Sequence, residues 1–186
     1  MNAFLQDEEH DIIKKCRAGD GDAYAVLVDR YQSLAYTVAC RMLGNADMAN
    51  DIAQESFISA YEGLRHFRFG SKFSSWLTSI VLNKCRDQLR SRRTTVCVDE
   101  IAEIRETGRR NPEQEAMAGE SADAVQKALS CLPPDYREAI ILKHIEELDY
   151  QSISEILGVS VAALKVRTHR GREMLKGLLE RSGVAP

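Results

Sequence analysis

Asp51 to Arg93 carries two stripes of residues whose types suit work at a surface. Trp76, Ser79, Asn83, Arg86 and Arg90 recur every three or four positions, so a helix places them on one side. An aromatic ring, an amide and guanidiniums in one row can stack on bases, read their edges and clamp phosphates. The alternative is a solvated arginine face with Trp76 turned into the core. Just upstream, Asp51, Glu55 and Glu62 share a helical face with Met48, Ile52 and Ile58, opposite Ala53, Phe57, Ala60 and Leu64. Acid mixed with unburied apolar surface fits a protein partner better than solvent. A third group lies near the C-terminus, where residues 160–181 place Lys165, Arg167, Arg170, Arg172, Lys176 and Arg181 against only Glu173 and Glu180.

Catalytic chemistry has no comparable foothold. There is no glycine-rich phosphate loop and no metal-ligand spacing, and His10, His66, His144 and His169 lack the setting of a triad. Neither an enzyme nor a cofactor is expected. The five cysteines are scattered and odd in number, which predicts reduced thiols. No apolar run has the length of a membrane span, and the N-terminus lacks a basic-then-apolar leader pattern, so the expected location is the cytoplasm without direct membrane insertion. A net charge of −3 argues against indiscriminate coating of nucleic acid.

The elements that must position these groups are helical almost throughout. Residues 8–18 predict a short helix stopped by Gly19, and 22–43 a long one with Leu27, Tyr31, Leu34, Val38 and Met42 in register. Gly44 ends it, and Asn45 or Asp47 can cap the next helix. A further helix over about 74–92 buries Leu77, Val81, Cys85 and Leu89. The periodicity fades over 94–111, which reads as a flexible linker. It resumes at Asn111-Pro112-Glu113-Gln114, an N-cap, a first-turn proline and a capping-box glutamine in order. Pro133-Pro134 break that helix, and another is expected over 134–147. The predicted fold class is therefore all-α, with small helical domains over 1–93 and 112–186.

The last two helices form the clearest motif. Asp149 caps YQSISEIL, Gly158 ends it with a left-handed turn, and Val159-Ser160 lead into VAALKVRTHRGREMLKGLLE. Val161, Leu164, Thr168, Gly171 and Leu175 share one face of this final helix, leaving Ala162, Val166, His169 and Arg170 opposite, flanked by Lys165 and Arg167. This is the pattern of a helix-turn-helix, whose second helix enters the major groove. Lys165 and Arg170 can donate to guanine edges, and His169 can reach a base or a phosphate.

The blocks GDGDAYAVLVDRYQ, DIAQESFISAYEGL, FRFGSKFSSWLTSIVLNKCRD and LPPDYREAIILKHIEELDYQSISEILGVSVAALKVRTHRGREML resemble, in order and spacing, a bacterial RNA polymerase sigma factor of the small extracytoplasmic function (ECF) subfamily. The resemblance implies a factor that binds core RNA polymerase, through the clamp coiled coil of its largest subunit and its flap, and directs initiation at promoters with −10 and −35 elements. Asp51, Gln54, Glu55 and Ile58 fall on the family's clamp-docking segment. Phe67, Arg68 and Phe73 belong to the loop that captures a flipped −10 base, while Asn83, with Trp76, Arg86 and Arg90, faces the unpaired strand. Lys165, Val166, Arg167, His169 and Arg170 fall on the −35-reading helix, and Tyr150 and Gln151 on its phosphate contacts. The resemblance also implies an anti-sigma factor, often membrane-anchored. The competing expectation is a dimeric helix-turn-helix regulator with an N-terminal helical sensor domain, which would bind a palindrome and ignore polymerase.

Overall fold

The computed structural model describes residues 2–96 and 116–181. Most of the expected linker, the capping sequence Asn111–Gln114 and Cys97 lie outside these residues. The described chain is helical, in the order α1 (Asn2–Arg17), α2 (Gly21–Leu43), α3 (Ala46–Gly63), a 3-10 turn (Leu64–His66), α4 (Phe73–Val96), α5 (Ala116–Cys131), α6 (Pro134–Ile140), a π-helical turn (Ile141–Ile145), α7 (Tyr150–Leu157) and α8 (Val161–Arg181). No strand occurs among the described residues.

Local chemistry sets the boundaries. Asp20 accepts the Ala23 N–H at 3.0 Å and opens α2, and Asn45 accepts the Met48 N–H at 2.8 Å and opens α3. Each such cap stabilises its helix by about 1 kcal/mol. Gly44 closes α2 at φ 67°, donating its N–H to Cys40 O, a conformation that a side chain would resist. On α2 and α3, buried Ala35, Ala39, Ala49, Ala53 and Ala60 keep the contact surfaces small, so the two helices pack closely. Leu27, Val38, Met42, Phe57, Leu77, Val81 and Cys85 fill the space between α2, α3 and α4.

Two expectations are corrected. Ile52 is buried on the inner side of α3 rather than outward with Asp51, because it lies one turn from Ala49 and Ser56 on the buried face of the helix. The helix expected over 134–147 is regular only to Ile140. There the Glu146 N–H reaches back to Ile141 O, a five-residue span that widens the turn and ends the helix, with Glu147 following at φ 52°.

The C-terminal helices do not stand apart from the N-terminal ones. Helix α7 packs on α4, and α5 and α6 pack on α2. One apolar core therefore runs from Ile13 through Leu82 to Ile141, Ile153 and Leu164, beside a smaller cluster of Leu129, Leu132 and Ile140. Buried Arg137 ties the halves together, donating to Met42 O across the boundary and to Ser130 O and Leu132 O within its own half. Gln126 adds to the seam by donating to Arg41 O at 3.2 Å while accepting from the Arg41 guanidinium.

Candidate nucleic-acid and protein interfaces

Helix α8 is held from below and bare above. Asp149 accepts the N–H groups of Gln151 and Ser152 and so starts α7; these bonds, chiefly that from Ser152, hold its carboxyl below the usual carboxylate range. Gly158 at φ 66° ends α7, and Ser160 Oγ accepts the Ala163 N–H at 3.2 Å to start α8. Leu164, Thr168 and Gly171 are buried beneath. A Cβ at Gly171 would lie 3.0 Å from Ile140 Cγ1 and 3.3 Å from Tyr136 O, so glycine sets how closely α8 crosses α6. This seating leaves Ala162, Ala163, Lys165, Val166, His169 and Arg170 exposed, with Val166 at 50% despite its apolar side chain. Arg167 departs from the row: its guanidinium turns down to Asp135 at 3.1 Å. Gln151 is exposed, whereas Tyr150 is half-buried with the Lys143 ammonium 5.1 Å above its ring.

On α3, Asp51, Gln54, Glu55 and Ile58 form an exposed ridge, and Ile58 at 61% is the most exposed large hydrophobic side chain among the described residues. Glu55 reaches Lys84 of α4 at 3.4 Å, a surface pair too solvated to hold the ridge shut.

The loop between the 3-10 turn and α4 is built on aromatic packing. Phe67, 3% exposed, and Phe73, wholly buried, meet at a centroid distance of 6.0 Å. Trp76 completes the cluster at 5.3 Å from Phe67 and lies so close to α3 that a Cβ at Gly63 would come within 3.3 Å of it. These three rings, which the resemblance assigns to a nucleic-acid surface, are core or half-core, and Trp76 follows the alternative that turned it inward, since together they remove more apolar area from water than any of them would stacked on a base alone. Arg68 is exposed at the loop tip, where its carbonyl accepts both the N–H and the hydroxyl of Ser71. Arg65, His66 and Lys72 are exposed around it, a basic rim the periodicity did not single out.

Along α4, Asn83 and Arg90 are exposed, but Arg86 is engaged. Its Nε and Nη2 donate to the two carboxylate oxygens of Glu138 at 2.6 and 2.7 Å, while Nη1 donates to Asn83 Oδ1. Glu138 belongs to α6 and is 1% exposed. A forked, charge-assisted pair of this kind, buried on one side, is strong and geometrically demanding. Burial, aided by the Glu138 charge and opposed by Arg86, pushes the neighbouring Cys85 thiol up to about 12. No grouping of three or more His, Cys, Asp or Glu side chains suited to a metal occurs among the described residues, and none of their helices is long and apolar enough to cross a membrane.

Glu138, Arg137, Glu9 and Arg17 were not singled out from sequence. The available signal was a charged residue inside an apolar repeat: Glu9 stands four residues before buried Ile13, and Arg137-Glu138 sit between Pro134 and the buried run Ala139–Leu142.

Comparison with known proteins adds a further constraint. Residues 27–95 match the family Sigma-70 region 2, and residues 122–175 match Sigma-70, region 4. The chain is 38% identical over 175 residues to the ECF RNA polymerase sigma factor SigW of Bacillus subtilis, covering 88% of this chain and 92% of that one. It is 32% identical over 178 residues to the ECF RNA polymerase sigma-E factor of Haemophilus influenzae, covering 91% and 94%. Among solved structures it resembles CnrH in complex with the cytosolic domain of CnrY, with a TM-score of 0.70, 26% identity and coverage of 93% and 97%. It also resembles RpoE from Bartonella quintana in complex with the anti-sigma factor NepR, with a TM-score of 0.70, 25% identity and coverage of 84% and 96%.

Proposed function

The chain belongs to the ECF group of bacterial RNA polymerase sigma factors, and from that membership we infer how its exposed residues divide the work of promoter selection. It binds core RNA polymerase and directs initiation at promoters carrying −10 and −35 elements. The ridge Asp51, Gln54, Glu55 and Ile58 docks on polymerase, presenting acid for a basic partner surface and one uncovered isoleucine for an apolar pocket. Helix α8 enters the −35 major groove. Lys165 and Arg170 donate to base edges or phosphates, Val166 offers apolar contact to a thymine methyl, and His169 completes the row. Gln151, at the start of α7, meets a phosphate, and Tyr150 supports it through ring packing.

The loop around Arg68 captures a base extruded from the −10 element. Phe67, Phe73 and Trp76 act as the floor and wall of that loop rather than as free stacking platforms. Asn83 and Arg90 follow the unpaired strand, and Arg86 joins them once Glu138 lets it go. Binding an extruded base offsets part of the few kcal/mol lost on unstacking it. Two contacts on one chain, each weak alone, combine through effective concentration.

The observation that carries this reading is the pairing of a bare basic row on α8 with an uncovered acid-apolar ridge on α3 in the same chain. A dimeric regulator has use for the first and none for the second. The similar RpoE of Bartonella quintana binds an anti-sigma factor, and the same class of partner is inferred here, covering these surfaces until release. Reversing charge at Asp51 and Glu55 to lysine tests the docking ridge by co-elution with core polymerase. Affinity should fall at least tenfold with −35 preference unchanged; unaltered affinity would remove the ridge from the interface.

A further inference from the structure

Helix α1 precedes the matched Sigma-70 region 2, which begins at residue 27, yet three of its side chains converge on the loop assigned to base capture. Arg17 grips the loop's entry: its Nε donates to Leu64 O at 2.9 Å, and its Nη2 donates to Phe67 O. The same guanidinium lies 4.4 Å over the Phe69 ring, and His10 meets that ring edge-on at 5.3 Å. Glu9 holds the exit. Its Oε1 accepts the Phe73 N–H at 3.2 Å, giving α4 the cap that Lys72 cannot supply, and its Oε2 accepts the Tyr31 hydroxyl. Glu9 is only 6% exposed, so this carboxylate is built into the protein, with both oxygens committed.

We propose that Glu9 and Arg17 are positioning residues for −10 base selection, fixing the two ends of the 67–72 loop from a helix outside the matched region. The proposal rests on the base-capture reading of that loop. A pocket discriminates between bases only if its walls stay put when the wrong base enters, and a loop of six residues has many conformations to lose. Leu64 O, Phe67 O and Phe73 N–H are the points where α3 ends and α4 begins. Bonding all three to one helix, itself anchored by buried Ile13 and Cys16, sets the loop's span and direction. Arg17 does this with a planar fork that reaches two carbonyls at once, which a lysine cannot copy.

The test uses holoenzyme assembled from the full-length chain and core polymerase, with run-off transcription from duplex promoters differing by one base at each −10 or −35 position. Wild type should discriminate about fivefold or more at the captured −10 position. Glu9→Ala and Arg17→Lys should bring that ratio to within about twofold while leaving −35 ratios and polymerase affinity unchanged. Glu9→Gln, whose amide oxygen can accept from Phe73 while its nitrogen donates to the Tyr31 oxygen, should restore the −10 ratio. A merely structural role would lower total activity with every base ratio intact, and that result in Arg17→Lys would overturn the proposal even if Glu9→Ala fails to fold. A wild-type holoenzyme indifferent to every −10 base would instead overturn the base-capture reading itself, and the proposal with it.

Discussion

Arg170 stands clear on the outer row of α8, while Arg167, three residues earlier, is tied down to Asp135. The two arginines therefore carry different expectations. Arg170→Ala should cost about 1–3 kcal/mol of discrimination at one −35 position, read as a loss of run-off product that changing that base no longer deepens. Arg167→Ala should change −35 preference far less. Helical periodicity was enough to place Lys165, Val166, His169 and Arg170 outward, because a 3.6-residue repeat separates faces without reference to anything distant. It could not foresee Asp135 beneath Arg167, or Glu138 against Arg86 across 52 positions, since the partner lies on another helix. Cysteine chemistry follows the same division. Cys85, buried beside Glu138, has its thiol pushed up to about 12, whereas Cys131 is exposed. At pH 8 the former holds almost no thiolate, so alkylation mapped by mass spectrometry should label Cys131 at once and Cys85 only on unfolding.

At the scale of elements, capping residues were legible because their chemistry is local. Gly44, Asp149 and Gly158 sit where the sequence placed them, and of the two caps it offered for α3 Asn45 is the one used; Asp20, which opens α2, was not singled out. The carboxyl of Asp149 is held below its ordinary value by N–H groups present only in the folded helix. Its contribution to stability is thus present at neutral pH and is lost as pH falls through the carboxylate range, toward the depressed folded value. Thermal unfolding followed against pH should show the wild type losing more melting temperature on acidification than Asp149→Ala does. The π-turn after α6 was not legible, because Ile141–Ile145 continues an apolar repeat that a regular helix would satisfy equally well. Gly171 matters here as well. A methyl group there would lie 3.0 Å from Ile140 Cγ1 and 3.3 Å from the Tyr136 backbone carbonyl, which has little room to give, so Gly171→Ala should destabilise the protein by about 1–3 kcal/mol, measurable as a lower denaturation midpoint.

At the scale of the whole molecule, the sequence yielded two helical units but not their packing. Periodicity marks which faces are apolar, and an apolar face does not announce whether its cover is a neighbour in its own unit or a helix across a linker. Here α7 covers α4, Arg137 caps Met42 O, and Glu138 holds Arg86. The labels −10 and −35 put the two elements about 25 base pairs apart, or about 85 Å at roughly 3.4 Å per pair. A closed chain of this length has a radius of gyration near 16 Å, so on the proposed reading the units part to engage both elements. Glu138→Ala removes the buried partner of Arg86 and should shift the free protein toward an open form, seen as a larger radius of gyration in small-angle scattering. An unchanged scattering profile would show that apolar packing alone keeps the units together.

The central claim is that one chain docks on polymerase through α3 and selects promoters through α8 and the 67–72 loop. Size-exclusion co-elution with bacterial core RNA polymerase, followed by run-off transcription from genomic fragments, tests it most directly. The account predicts a stable complex and new start sites. Their aligned upstream regions should share −10 and −35 motifs, and Arg170→Ala should blur only the latter. A protein that elutes apart from polymerase and instead shifts palindromic DNA as a dimer would contradict it.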